Sequence, residues 1–236
     1  MYNSMDIKIL AAGEKMEIRK NLTIKKLNLP NYSLSEELLN AITHGIGSLL
    51  SVVAVIVLIQ KYKGYTADLV FMLIYCFTLF LLYTISTLYH SLKRNKAKAV
   101  FRKLDHCSIF LLIAGTYTPI CAAILKTNFA FGVLAGVWIL GIVGIVFNAI
   151  DVNKFSKFSL TCYILMGWSI VLIARPTIQI LNREQLLYLL IGGIFYTVGA
   201  IIYVIGKKIK YMHSIWHIFV LAGSIFHFLI FTKQIS

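Results

Sequence analysis

The chain has 236 residues, of which 59% are apolar and only 14% charged, and it carries a formal net charge of +14 at pH 7. Soluble globular proteins average about 45–50% apolar and about 25% charged residues, so this composition excludes a soluble enzyme and a disordered chain. A strongly positive charge in a soluble protein would suggest nucleic-acid binding. Here the basic residues flank long apolar runs, which indicates a membrane protein and no nucleic-acid partner.

The first 36 residues form a basic segment ahead of the apolar runs. They hold six Lys and Arg residues and no apolar core of the length that a signal peptide requires. We therefore predict that residues 1–36 are a cytoplasmic tail and that residues 37–236 form a transmembrane domain. The four cysteines lie inside apolar runs without paired spacing, which predicts small buried side chains and excludes a secreted disulfide scaffold.

Seven apolar runs follow, each close to the roughly 20 residues that a helix needs to cross the hydrocarbon core. Ser35, followed by two glutamates, is a helix-start signal for the first run. Pro30 and Pro176 are expected at the ends of elements, and Pro119 inside the third run should kink it. No stretch alternates like a barrel strand, so the sequence predicts an all-α membrane protein, a seven-transmembrane helix bundle. The predicted runs are 38–59, 67–92, 104–125, 129–150, 158–174, 185–206 and 212–232.

Basic residues are divided unequally between the two sides of this predicted bundle. With a cytoplasmic N-terminus, the tail and the connections 93–103, 151–157 and 207–211 hold 17 of the 23 Lys and Arg residues, and the opposite side holds six. Positive residues accumulate on the cytoplasmic side of membrane proteins, so we predict a cytoplasmic N-terminus and a C-terminus outside. The basic 93–103 connection is interpreted mainly as a topology signal that also contacts anionic lipid head groups.

Ionisable residues from three distant runs lie at one predicted depth near the cytoplasmic surface. His90 ends the second run, Asp105 begins the third, and His213 and His217 begin the seventh. Ionisable side chains are costly at this depth and usually face the bundle interior. The two histidines of the seventh run are four residues apart and share one helix face. Together with His90 they offer three neutral imidazoles, which suit a tetrahedral Zn²⁺ with its fourth position open.

Asp105 and Ser86 are the candidate catalytic residues beside this predicted metal site. A carboxylate next to a metal site can orient a water molecule or accept its proton. The alternative for Asp105 is an N-terminal cap of the third helix. Ser86 precedes His90 by four residues and shares its helix face, but a serine in such a helix often bonds only its own backbone.

The other three histidines are left out of the predicted metal shell. His44 is either a residue beside the site or a hydrogen-bonding residue at the start of the first helix. His106 follows Asp105 and points about 100° away from it around the helix. His227 lies roughly 15 Å along the helix from His217, and we expect it to be a buried hydrogen-bonding residue.

These residues resemble the hemolysin III-related family, which is grouped with the progestin and adipoQ receptors and with alkaline ceramidases in a wider superfamily of membrane hydrolases. The pattern is Ser-x-x-x-His in the second run, Leu-Asp-His opening the third, and His-x-x-x-His opening the seventh. Residues 37–45 and 115–119 are also similar to the family. The resemblance extends over nearly the whole chain from residue 36, and the small loops are similar to its bacterial branch, which implies a bacterial plasma membrane.

The resemblance implies a zinc ion held by His90, His213 and His217, with Asp105 near the reactive water and Ser86 hydrogen-bonding around it. It also implies a metal-dependent hydrolase whose partner is a membrane lipid amide or ester. Two alternatives remain open. One is a non-catalytic seven-helix sensor or membrane-homeostasis protein with structural zinc, and the other is a cytolytic pore-former.

Overall fold

The computed structural model describes residues 27–206 and 209–233, and within these residues all regular structure is helical. The helices are α1 (Leu34–Lys61), α2 (Thr66–Ser91), α3 (Lys96–Pro119), α4 (Asn128–Asp151), α5 (Ser156–Trp168), α6 (Ala174–Ile180), α7 (Arg183–Ile205) and α8 (Met212–Thr232). A π-helical segment, Ile120–Leu125, extends α3, and a 3₁₀ segment, Ser169–Ile173, joins α5 to α6. The described chain thus forms seven continuous helical stretches that are long and apolar enough to cross a membrane, which confirms the predicted architecture. Most of the predicted tail lies outside the described residues.

Helix α1 starts with a capping box built on Ser33. The Ser33 hydroxyl accepts a hydrogen bond from the Glu36 backbone N–H at 3.4 Å, and the Glu36 carboxylate accepts one from the Ser33 backbone N–H at 2.9 Å. The predicted start at Ser35 is wrong, because only a serine three residues before the glutamate can close this reciprocal pair.

Helix α3 begins well before the apolar run that starts at residue 104, so most of the predicted 93–103 connection is helical. The Asn95 side chain caps the helix by accepting from the Lys98 backbone N–H at 2.9 Å. Asp105 therefore lies in the helix interior, and its alternative role as an N-terminal cap is wrong. The apolar pattern did not predict this helix start, because the first turns of α3 are basic rather than apolar.

The prolines mark one transition and one helix start. The α-helical part of α3 ends at Pro119, and the chain continues with π-helical pairing, which fits a residue that has no N–H to donate. Pro176 lies in the first turn of α6, where its missing N–H costs no helical hydrogen bond. The prediction that Pro176 ends an element is wrong, and the fifth membrane-spanning stretch continues to Ile180.

The order of packing places distant parts of the chain at one end of the bundle. Helix α1 packs against α2 and α8, α3 packs against α2 and α4, and α7 packs against α8. The stretch containing α3 is the most enclosed, with 78% of its most apolar window buried against 44% or less in the others. The four cysteines are buried and unpaired, as predicted. One end of the bundle collects the first turns of α1, α3 and α8 and the last turn of α2.

Glycine allows α3 and α4 to approach closely in the core. A Cβ atom on Gly144 of α4 would collide with the ring of Phe110, which is fully buried on α3. Gly136 lies on the same helix with open space where its Cβ would be. The two glycines therefore have different structural roles despite their common helix.

Candidate metal centre

His90, His213 and His217 converge at the end of the bundle formed by α1, α2, α3 and α8. The ring centroids of His213 and His217 lie 4.7 Å apart, and that of His90 lies 5.3 and 5.0 Å from them. One ring nitrogen from each histidine lies within 4.8 Å of the other two. The Nε2 atoms of His213 and His217 are 3.1 Å apart, which confirms that the four-residue spacing directs both rings to one point.

The outer nitrogens of two of these rings face hydrogen-bond acceptors. Nδ1 of His90 lies 2.7 Å from Oε2 of Glu37, and Nδ1 of His217 lies 3.3 Å from the carbonyl oxygen of Asn40. A carboxylate and a carbonyl only accept, so Nδ1 carries the proton in both rings. The Nε2 atoms therefore carry lone pairs directed into the cluster.

This donor set fits a metal ion. Zinc–nitrogen bonds of about 2.0–2.1 Å at tetrahedral angles place two ligand nitrogens about 3.3 Å apart. The 3.1 Å between the Nε2 atoms of His213 and His217 is close to that separation. Nε2 of His90 is buried and has no hydrogen-bond partner among the described residues, a costly arrangement unless a ligand occupies it. The three histidines could therefore hold a metal ion.

Asp105 and Ser86 are buried in the same half of the bundle as the cluster. Asp105 is 5% exposed, and Ser86, one turn before His90 on α2, is fully enclosed. The Ser86 hydroxyl is next to the Asp105 carboxyl without forming a hydrogen bond of good geometry. Within the described residues, no carboxylate or thiol joins the three histidines as a fourth ligand. Among the described residues, the arrangement is an open set of three ligands, with a buried carboxyl group in the same half of the bundle.

His44 lies against the cluster, well inside α1, so its alternative role at the helix start is wrong. Its ring stacks on that of His217 with 3.6 Å between centroids and 10° between planes. Nitrogen lone pairs lie in the plane of an imidazole ring, so two stacked rings cannot direct them to one ion. His227 is buried with Nε2 3.4 Å from the Leu189 carbonyl oxygen, which confirms its predicted hydrogen-bonding role. His106 is likewise outside the cluster, with Nδ1 2.9 Å from the Arg102 carbonyl oxygen.

Tyr32 covers the cluster from segment 27–33, which precedes α1. Its ring stacks on His213 with centroids 4.9 Å apart and planes at 24°, and it lies 5.7 Å from the ring of His90. The aromatic ring therefore lies directly against two of the three candidate ligands.

Four of the six bases in the predicted 93–103 connection bind inside the protein. Arg94 and Arg102 donate to oxygen atoms of residues 28–31 at 2.9–3.1 Å and fasten that segment over the site. Lys98 donates to a glutamate on α1, and Lys103 donates to carbonyl oxygens at the end of α4. The two remaining bases, at positions 93 and 96, are exposed.

Glu37, Asn40 and Lys98 contact the site, although none of them is among the site residues predicted from the sequence. Asn40 is fully buried, and its side-chain oxygen accepts from the Ser214 hydroxyl at 2.6 Å. A signal existed on α1, because Glu37, Asn40 and His44 follow i, i+3, i+7 spacing and form a polar stripe in an apolar run. Lys98 could not be assigned to a helix face from the sequence, because its segment was predicted to be a loop.

The fold and the site together define a class, a multi-pass membrane protein with a buried three-histidine cluster that could hold a metal ion. Residues 32–228 match the family described as Haemolysin-III related, and the chain belongs to that family. It is 43% identical over 202 residues to Hemolysin-3 of Bacillus cereus, covering 85% of this chain and 92% of that protein. It is 43% identical over 195 residues to the Hemolysin-3 homolog of Bacillus subtilis (strain 168), covering 82% and 91% respectively. A more distant relative is the Monocyte to macrophage differentiation factor of Homo sapiens, 26% identical over 160 residues and covering 66% of each chain.

Proposed function

We propose that this protein is a zinc-dependent hydrolase of a membrane lipid amide or ester in a bacterial plasma membrane. The observation that carries the proposal is the open ligand set formed by His90, His213 and His217. Structural zinc sites are normally closed by four protein ligands, whereas catalytic sites keep three and leave one position open. The described residues supply three ligands and no fourth, which favours catalysis over a non-catalytic sensor with structural zinc.

Each residue of the site has a distinct role in this proposal. The three histidines would hold the zinc ion, which supplies the Lewis-acid chemistry that activates water and polarises a carbonyl group near neutral pH. Asp105 orients the attacking water, accepts its proton and returns that proton to the leaving amine or alcohol. Ser86, one turn before His90 on α2, would act as a positioning residue whose hydroxyl hydrogen-bonds the Asp105 carboxyl once the metal is bound.

A lipid is the substrate class that the location favours. The cluster lies at one end of a bundle whose outer surface is apolar, and Leu49 on α1, for example, is 70% exposed. Such surfaces face lipid tails in a membrane protein. An amide or ester near a lipid head group lies at a similar depth, so it can reach the site without leaving its leaflet. The orientation predicted from the basic residues assigns this leaflet to the cytoplasmic side.

Metal analysis of the purified protein tests the proposed site. We expect about one zinc ion per chain in the wild type and loss of the metal in His213→Ala, because two imidazoles remain. Full zinc occupancy in that variant would overturn the assignment of the ligands.

Asp105→Ala separates hydrolysis from metal binding. We expect the variant to retain zinc and to lose turnover of whichever lipid accumulates in cells that lack the protein, because the general base is missing. Lipid analysis of the deletion strain, complemented with wild type or variant, measures this. Wild-type turnover in Asp105→Ala would contradict the proposed mechanism.

Membrane lysis is a second candidate function, favoured by the name of the relative Hemolysin-3. It ranks second because lysis leaves the buried histidine cluster and Asp105 without a role. Release of dye from liposomes measures lysis directly. Equal release by wild type and His213→Ala, with no change in any lipid, would support lysis over hydrolysis.

A further inference from the structure

We propose that Glu37 is a positioning residue for the metal site, which fixes the proton on Nδ1 of His90 and keeps Nε2 free to bind the metal. Lys98 holds the Glu37 carboxylate in the orientation that this requires. The inference rests on the proposed zinc site and adds two residues to it.

The geometry shows a carboxylate shared between two partners. Oε2 of Glu37 lies 2.7 Å from Nδ1 of His90, and Oε1 accepts from Nζ of Lys98 at 2.6 Å. Each oxygen therefore has its own donor, and charge-assisted hydrogen bonds of this length fix the orientation of the carboxylate. The three residues come from α1, α2 and α3, so the contact also joins the helices that surround the site.

Lys98 is buried with its ammonium group against the Glu37 carboxylate. The Lys98 side chain is 1% exposed and that of Glu37 16% exposed. Lys98 also donates to the Leu92 carbonyl oxygen at 3.0 Å, and its ammonium lies 4.9 Å from the centre of the Tyr89 ring. A buried ion pair contributes little net stability, because desolvation offsets the attraction between the charges. Its location against a candidate metal ligand therefore points to a role in positioning.

The chemistry of imidazole explains what the contact achieves. A neutral histidine carries one proton, and the nitrogen that holds it cannot bind a metal. A carboxylate on the outer nitrogen holds the proton there, orients the ring and makes the inner nitrogen more basic. The Asn40 side-chain nitrogen also approaches Nδ1 of His90, but at 3.4 Å it is the longer contact. Glu37 is therefore the residue that selects the metal-binding tautomer.

Zinc affinity of the purified full-length protein, measured by competition with a chelator, tests this inference. We expect Glu37→Gln to bind zinc about 10–100-fold more weakly than wild type, because a neutral amide is a weaker acceptor for the His90 proton. Glu36→Gln is the matched control. Glu36 accepts from Ser33 and from the Tyr211 backbone N–H at 2.9 Å rather than from a histidine, so its replacement should leave zinc affinity unchanged.

A double variant separates positioning from a structural role. Glu37→Gln leaves the Lys98 ammonium buried without its counter-charge, which destabilises the fold by itself. Combining it with Lys98→Met removes both charges, and we expect thermal stability to return while zinc affinity stays low. Glu37→Asp keeps a charge for Lys98 on a side chain one methylene shorter, and we expect it to fold and to bind zinc more weakly.

The possible results are distinguishable. Wild-type zinc affinity in a folded variant that lacks the Glu37 carboxyl overturns the positioning role. A wild-type protein that binds no zinc overturns the proposed zinc site itself. Reduced affinity that returns together with thermal stability in the double variant shows a merely structural contact and also overturns the proposal.

Discussion

Tyr32 stacks on His213 and encloses the histidine cluster from outside the membrane-spanning helices. Burial raises the pKa of the Tyr32 phenol, with a further contribution from nearby Tyr203 and Asp105. A phenol is already neutral near pH 7, and burial favours this neutral form further. Its role at the cluster is that of a cover.

Replacement of this cover should change the rate of metal exchange rather than the stoichiometry. We expect Tyr32→Ala to release zinc to a chelator at least several-fold faster than wild type, because the ring that blocks His213 is missing. Zinc content at equilibrium should remain near that of wild type, since the three imidazoles are retained. Tyr65→Ala is the control, because Tyr65 is 80% exposed and precedes α2 at the other end of the bundle. Equal release rates in wild type and Tyr32→Ala would contradict the covering role.

Residue spacing predicted the convergence of the candidate ligands but not the residues that contact them. His213 and His217 are identifiable because a four-residue interval on a helix has a fixed direction, and the structure brings their nitrogens together. Glu37 acts through contacts with α2 and α3, and its partner Lys98 lies on a helical turn that composition does not reveal. Contacts between helices depend on packing, which the sequence of one segment does not determine.

At the level of the elements, the seven membrane-spanning stretches were predictable because apolar length is a strong and local signal. The ends of these stretches were harder to predict. Helix α3 begins in a basic segment, and the fifth stretch continues past Arg175 and Pro176, where composition indicated an end. Charged first turns are compatible with helix near a membrane surface, where polar side chains reach solvent or neighbouring carbonyl groups. Because the third helix was predicted to start at residue 104, Asp105 was considered as a possible N-terminal cap, which is wrong.

The close contact between α3 and α4 gives a prediction at this scale. Gly144→Ala should destabilise the protein by about 1–3 kcal/mol, because the new methyl group meets the buried Phe110 ring and the packed core cannot move away freely. Gly136→Ala on the same helix meets no atom within 4 Å and should have little effect. Thermal unfolding of the purified variants in detergent compares them. Equal stability of the two variants would show that the interface of α3 and α4 is looser than described.

For the whole molecule, the unequal distribution of basic residues predicts orientation. We expect the N-terminus in the cytoplasm and the C-terminus outside, because 17 of the 23 Lys and Arg residues lie on the tail side of the predicted topology. Alkaline phosphatase fused to the C-terminus should be active in bacteria, and green fluorescent protein fused there should be dark. The opposite pattern would reverse the orientation and assign the histidine cluster to the outer leaflet.

Most bases of the segment before and within α3 form hydrogen bonds inside the protein. Two of its six bases hold segment 27–33, and two more bind α1 and α4. Lys93 and Lys96 remain exposed, and we propose that these two contact anionic lipid head groups. The segment therefore combines internal structural contacts with a smaller lipid-facing surface than its charge indicates.

The candidate ligands come from opposite parts of the chain, His90 at the end of α2 and His213 and His217 at the start of α8. Synthesis and membrane insertion proceed from the N-terminus, so the first imidazole is in place long before the last helix leaves the ribosome. A metal ion that needs all three imidazoles would therefore be captured only after the last helix is made, and its binding free energy would be released only then. An ion bound in this way would distinguish a fully inserted molecule from a truncated or stalled precursor.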